Sequence, residues 1–220
     1  MEDSVTRLKR LDCCAVSDAL DKLGIKGRVV SGLRAESVPA KIAGKVVTYR
    51  LVACDAAKAH QGPPKHLGTT AIELADPGDV IVVEQRTGID AGSWGGILSL
   101  AAKLRGIGGV VADGPVRDID EARTYKFPIY CRSLTAKTAR GRVVEAEVNG
   151  PVTIGELVVN AGDYVLADSS GVAFIRPTEI GSVLSAAEMI AGREAAMAKA
   201  LLDGCKVTDV MGANYEHMLR

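Results

Sequence analysis

The sequence predicts a mixed α/β or layered αββα protein. In the first half of the chain, runs suited to buried strands alternate with helical stretches. In the second half short strands follow one another, and a final Ala-rich helix closes the pattern. Composition points the same way: of 220 residues 47% are hydrophobic but only 4% aromatic. A core can therefore be built, and it must be made mainly of Val, Ile, Leu and Ala. The length fits one domain, residues 1–220, with a short tail after the last helix.

Taken in order, residues 17–24 read as a short helix, with Ser17 as N-cap and Gly24 in the left-handed position past its end. Ile42–Ala53 is rich in β-branched residues and predicts one strand or two, with a bulge or bend at Gly44. Residues 67–75 suit a short helix, and Asp76-Pro77-Gly78-Asp79 a turn. Val80–Glu84 is a strand buried on both faces, since it has no polar alternation. A glycine-containing loop, 87–96, leads into a helix over 99–105, with Leu98, Ala101, Ala102 and Leu104 as its apolar stripe and Gly106 at its end. Residues 109–112 predict a buried strand that stops at the turn Asp113-Gly114-Pro115.

Beyond this, residues 120–125 read as a short helix whose acidic first turn suits the helix dipole. Residues 127–131 predict a strand, placed by Pro128 near an edge or a start. Residues 140–148 alternate as a strand, and Asn149-Gly150 signals a hairpin. Val152–Ile154, Leu157–Val159, residues 161–168 and residues 172–175 complete the strands, and Pro177 stops the last. An amphipathic helix runs over about 178–203, with Val183, Leu184, Ala187, Ile190, Ala191 and Leu201 on its apolar face and Gly204 past its end.

Several function classes are disfavoured. Lys and Arg total 27 against 27 Asp and Glu, so no basic footprint suggests nucleic acid. No apolar run reaches the roughly 18 residues of a membrane span, and the start of the chain does not read as a signal peptide. Five cysteines, with no C-x-x-C pair, read as buried thiols in a reducing cytoplasm rather than zinc ligands or a disulfide framework. His60 and His66 flank one loop without a third spaced ligand, and His217 lies in the tail; all three read as surface. Lys103 reads as a helix-surface lysine rather than a Schiff-base former. There is no G-x-G-x-x-G, Walker or G-x-S-x-G motif.

The informative stretch is 93–118. Gly95 and Gly96 allow close backbone approach and stand where a helix begins, a place that favours an anion. After the next strand come Arg117 and Asp118. Ligands collect outside the carboxyl ends of strands in α/β sheets, so the loop and the turn can face one crevice. As chain neighbours in a turn, Arg117 and Asp118 are expected to point apart and serve different partners.

Trp94-Gly95-Gly96-Ile97-Leu98, Ala101-Ala102-Lys103, Arg105-Gly106, Gly108-Gly109, Asp113-Gly114 and Val116-Arg117-Asp118 together resemble the RraA-like family. This family comprises regulators of ribonuclease E activity and 4-hydroxy-4-methyl-2-oxoglutarate aldolases. Ser17-Asp18-Ala19-Leu20 and the Pro77-Gly78-Asp79-Val80 run are similar to it as well. The resemblance implies the swivelling β/β/α fold, and a homo-oligomer that is a trimer or dimer of trimers. It also implies that a 2-oxo acid binds to the loop of Gly95, Gly96, Ile97 and Leu98, with Arg117 as the catalytic and substrate-binding cation and Asp118 as the metal ligand. Aldolases of the family carry an acid where this chain has Gly96. Asp113 is a candidate substitute, and Glu194, from a neighbouring subunit's C-terminal helix, a candidate second acid.

The chemistry of the side chains is compatible with this reading. Arg117 offers a planar fork to a carboxylate or oxyanion. Asp118 is a hard oxygen donor for Mg²⁺ or Mn²⁺, which need only one or two protein carboxylates. The expected activity is a metal-dependent cleavage of a pyruvate-containing 4-hydroxy-2-oxo acid, or decarboxylation of oxaloacetate, through a stabilised enolate. The alternatives are a metal-assisted isomerase or hydratase, and a non-catalytic regulator that binds a ribonuclease.

Overall fold

The computed structural model describes residues 2–57 and 66–212. Helices α1 (Ser4–Leu8) and α2 (Cys13–Lys22) open the chain, followed by short strands β1 (Val29–Val30) and β2 (Arg34–Ala35). The long β3 (Ile42–Ala53) starts a regular alternation: α3 (Thr69–Leu74), β4 (Val80–Glu84), α4 (Gly96–Leu104), β5 (Gly109–Val116), α5 (Ile119–Thr124) and β6 (Ile129–Leu134). Five strands follow: β7 (Val143–Val148), β8 (Val152–Ile154), β9 (Leu157–Val159), β10 (Tyr164–Asp168) and β11 (Gly171–Ile175). Helices α6 (Ile180–Leu202) and α7 (Val207–Val210) come last.

The main sheet runs β1-β11-β10-β3-β4-β5-β6-β2, with β7 also on β3. Strands β3, β4, β5 and β6 are parallel neighbours, and β10, β11, β1, β2 and β7 pair antiparallel. β3 is the hinge of the architecture. Its first residues pair with β10, its middle with β4 and its end with β7.

Side-chain alternation divides the apolar strands between layers. In β4, Ile81 and Val83 join the core under α3, α4 and α5, while Val80 and Val82 enter a second core between the two halves of the sheet. In β11, Val172 and Phe174 face that middle core, whereas Ala173 and Ile175 pack beneath α1, α2 and α6. Three apolar layers thus separate helices, sheet, sheet and helices, which is the expected αββα arrangement. Among the described residues no helix is long and apolar enough to cross a membrane.

Local readings are corrected at five places. The first long helix begins at Cys13, and its N-cap is Asp12 rather than Ser17: the extended Asp12 accepts from Ala15 N at 2.8 Å. β3 is one strand. It passes straight through Gly44, where a side chain would strike the Gly78 carbonyl, and its irregularity falls at Arg50–Leu51. β5 does not stop at Ala112; it carries Asp113, Gly114 and Pro115 through a register shift and resumes pairing with β6 at Pro115 and Val116. Asn149-Gly150 joins no hairpin, because β7 pairs with β3, and Asn149 N instead donates to Thr48 O at 2.8 Å. Hairpins form instead at β8–β9, which turns at Gly155 with a φ of 59° suited to a tight turn, and at β10–β11. Finally, Cys14 and Cys205 are exposed and only Cys13 and Cys131 are buried.

Asp12→Ala is expected to lower unfolding free energy by about 1 kcal/mol, and Ser17→Ala by only a few tenths, in urea titrations. Burial pushes the Cys13 and Cys131 thiols up to about 12. In a thiol titration of the folded protein at mildly alkaline pH, Cys14 and Cys205 react promptly, while Cys13 and Cys131 react only after unfolding.

Candidate functional site

A cavity of about 530 Å³ opens where α4 begins, lined by Gly92, Trp94, Gly95, Gly96, Ile97, Leu98, Arg117 and Asp118 on one side. Its other wall is His66, Leu67 and the segment from Thr138 to Glu145. This size suits a small organic ligand.

The loop before α4 is held from behind by buried polar groups. Tyr49 on β3 donates to Ser93 O at 2.5 Å, and Ser93 Oγ donates to Pro115 O at 2.8 Å. Trp94 Nε1 donates to Ser99 Oγ at 2.9 Å, which in turn donates to Gly95 O at 2.9 Å. The Trp94 ring stacks on Phe127 with centroids 6.3 Å apart. Gln85 Nε2 reaches the carbonyls of Ile89 and Ala91 at 2.9 and 3.0 Å. Burial drives the Tyr49 hydroxyl well above its ordinary range, aided by the charge of Glu145, so it serves as a neutral donor.

At the start of α4 the first-turn amides have no carbonyl four residues back to bond. Gly96 N donates to Asp118 Oδ2 at 3.3 Å. The amides of Ile97 and Leu98 have no partner among the described residues. They provide two aligned donors at the positive end of a helix dipole, the arrangement that binds carboxylates and phosphates.

Arg117 and Asp118 do not point apart. Asp118 sits in the left-handed conformation, φ 56° and ψ 38°, which turns its side chain back over the preceding residue. Both its oxygens then lie 3.1 Å from Arg117 Nε. The expectation of separate partners is corrected by this single backbone twist. Only Nε is engaged; the two terminal nitrogens of Arg117 have no partner among the described residues. The Arg117 stem lies flat on the loop: a Cβ on Gly92 would be 2.8 Å from Arg117 Cγ, and one on Gly95 3.0 Å from Asp118 Oδ2. Those two glycines are needed for close approach.

Gly95, Gly96, Ile97, Leu98, Arg117 and Asp118 are therefore brought together. Asp113 is not; it is buried on the far side of β5, bonded to Arg132 Nε and Gly155 N, each at 2.7 Å. The correction follows from the extension of β5, which spaces Asp113 away from the turn. Glu194 lies on α6 near Asp12 and Asp18 of its own chain, and partial burial followed by these two charges raises its pKa. Lys103 is an exposed residue whose Nζ donates to the Lys126 carbonyl at 3.3 Å. His66 lines the cavity, with Nδ1 beside Leu67 O, whereas His60 and His217 lie outside the described residues. Sequence reasoning missed Tyr49, Gln85, Ser93 and Ser99, isolated polar residues beside apolar runs. It also missed Glu121, whose carboxylate covers Gly96 so closely that a side chain at 96 could not coexist with it unmoved.

Among the described residues no cluster of three His, Cys, Asp or Glu side chains stands ready to hold a metal. Asp118 alone fits a hard cation that keeps most of its own water, since its carboxylate is about one-third exposed and faces the cavity.

Comparison with known proteins gives the family and the fold. A family profile described as RraA-like, Aldolase/RraA, matches residues 13–174. DlpA of Legionella pneumophila is 28% identical over 185 residues, covering 84% of this chain but only 29% of DlpA. A Halalkalibacterium halodurans protein named "Putative 4-hydroxy-4-methyl-2-oxoglutarate aldolase" is 26% identical over 201 residues, 91% of this chain and 90% of that protein. Further relatives carry the same name. The solved structure of Streptomyces coelicolor RraAS2, described as an unusual member of the RNase ES inhibitor RraA protein family, superposes with a TM-score of 0.74 at 25% identity. The match covers 84% of this chain and 90% of that one.

Because Arg117 rests on Gly92, Gly92→Ala displaces the guanidinium without touching the apolar layers. The variant is expected to weaken pyruvate binding, read by calorimetry, about tenfold, with an unchanged circular-dichroism spectrum. Unaltered affinity contradicts the placement of Arg117 at the ligand.

Proposed function

This chain belongs to the RraA-like family, and on that premise we propose that it is a divalent-metal-dependent lyase acting on a pyruvate-containing 4-hydroxy-2-oxo acid, oxaloacetate being a second substrate. The supporting observation is that Arg117, Ile97, Leu98 and Asp118 all line one cavity, and that the terminal nitrogens of Arg117 and the amides of Ile97 and Leu98 have no partner among the described residues. Aldolase names among the relatives support the same class of reaction.

In aldol cleavage the proton leaves the 4-hydroxyl, the C3–C4 bond breaks, and its electron pair moves into the C2 carbonyl to give the enolate of pyruvate. A proton then arrives at C3. In decarboxylation of oxaloacetate the departing group is carbon dioxide, and the same enolate remains. Negative charge collects on the C2 oxygen in both cases. The Ile97 and Leu98 amides bind the substrate carboxylate and so orient the keto group. Arg117 directs its terminal nitrogens at the developing oxyanion, a preorganised donor that needs no reorientation because Asp118 and Gly92 already hold it. Asp118 would hold Mg²⁺ or Mn²⁺, which when bound supplies Lewis-acid polarisation of the 2-oxo group. The proposal extends to a homo-oligomer, a trimer or dimer of trimers, in which Glu194 on α6 is offered to a neighbouring copy's cavity.

A second reading rests on the RraAS2 structure, described as belonging to a family of ribonuclease inhibitors. In that case the chain binds a ribonuclease and turns nothing over. The two readings separate in one assay. Pyruvate release from 4-hydroxy-2-oxo acids and from oxaloacetate is measured with Mg²⁺ or Mn²⁺ and with a chelator. Metal-dependent release is expected, with Arg117→Lys lowering kcat by about 10²–10³ and Asp118→Ala removing the metal response. No turnover of any substrate, or full activity of Asp118→Ala, contradicts the lyase.

A further inference from the structure

Asp118 is not the only carboxylate at the start of α4. Glu121 lies in the first turn of α5, three residues after Asp118, the left-handed residue that precedes the helix. A Cβ built on Gly96 falls on the Glu121 carboxylate, while the amide of the same Gly96 donates to Asp118 at 3.3 Å. Two acids thus converge on one glycine. The cation nearest Glu121 along its own helix, Arg123, is already taken by Asp120 at 2.7 Å and by the Glu36 carbonyl. The Glu121 carboxylate has no hydrogen bond or ion pair among the described residues.

Asp118 has the Arg117 guanidinium beside it, whereas Glu121 has no cation of its own among the described residues. Mg²⁺ or Mn²⁺ is content with two protein carboxylates and water. We propose that Glu121 is the second carboxylate for the divalent cation that Asp118 holds, reaching from α5 into the space that Gly96 leaves open. Gly96 is then a requirement of the site, because any side chain there would displace Glu121. The inference rests on the metal-dependent reading above and adds to it the identity of the second acid.

The test is Mn²⁺ binding to the full chain, followed by electron paramagnetic resonance and calorimetry, independent of turnover. Asp118→Asn is expected to abolish binding, and Glu121→Gln to weaken it by about 10–100-fold, with unchanged thermal midpoints since Glu121 is on the surface. The double variant Glu121→Ala with Gly96→Asp returns a carboxylate to the same place from the loop and is expected to recover most of the lost affinity. If Glu121→Gln binds Mn²⁺ as the parent does while Asp118→Asn does not, the role of Glu121 is overturned and that of Asp118 stands. Absence of recovery in the double variant also overturns it. If Asp118→Asn binds as tightly as the parent, or the parent binds no Mn²⁺, the metal-dependent reading itself fails.

Discussion

At Asp118 the backbone leaves β5 in a left-handed conformation that few residues other than glycine adopt, and the cavity takes its shape from that twist. The turn brings the carboxylate back onto Arg117 Nε and within reach of the Gly96 amide. The strain, of order 1 kcal/mol, is offset by those bonds and by the Asp118 carbonyl, which accepts the Glu121 and Ala122 amides to begin α5. One residue therefore ends a strand, starts a helix, orients a guanidinium and caps a second helix. A site so built has little freedom to rearrange when ligand arrives, which is the condition for stabilising charge as it develops.

That twist is useful only because the glycine loop opposite it is immobilised. The buried hydroxyls of Tyr49, Ser93 and Ser99 and the Gln85 amide absorb loop carbonyls that would otherwise be buried without partners. Tyr49 stands on β3, the strand that all three apolar layers share. The cavity wall is thus tied directly to the centre of the fold. Gly92 and Gly95 contribute by absence: without a Cβ they let the Arg117 stem and the Asp118 carboxylate lie against main chain.

Much of the architecture could be read before any coordinates. β4 was legible as a strand buried on both faces because Val80–Glu84 has no polar alternation, and the layers on its two sides confirm the reason. Gly106 at φ 75° and Gly204 at φ 91° end α4 and α6 where local chemistry placed them. The misreadings have a common cause. Asp113-Gly114-Pro115 has turn chemistry, yet Asp113 is recruited by Arg132 and Gly155, distant in sequence, and the strand continues. Asn149-Gly150 has hairpin chemistry, yet its strand pairs with β3, about a hundred residues earlier. Ser17 is a good cap in isolation, but Asp12 captures the helix start, and Cys13 N is drawn to Asp168 at 2.8 Å.

By itself the chain dictated most of the strands and helices from Ile42 to the long last helix, the layered class, and the grouping of Gly95, Gly96, Ile97 and Leu98 with Arg117 and Asp118. Those features depend on side-chain period, on glycine and on short spacings, all of which are local. Tertiary structure alone decided that Arg117 and Asp118 pair, that Asp113 faces away, and that Glu121 covers Gly96. Each of these depends on a backbone torsion or a strand register set by partners far along the chain. A one-residue slip reverses which face a side chain occupies, and no local pattern carries that information.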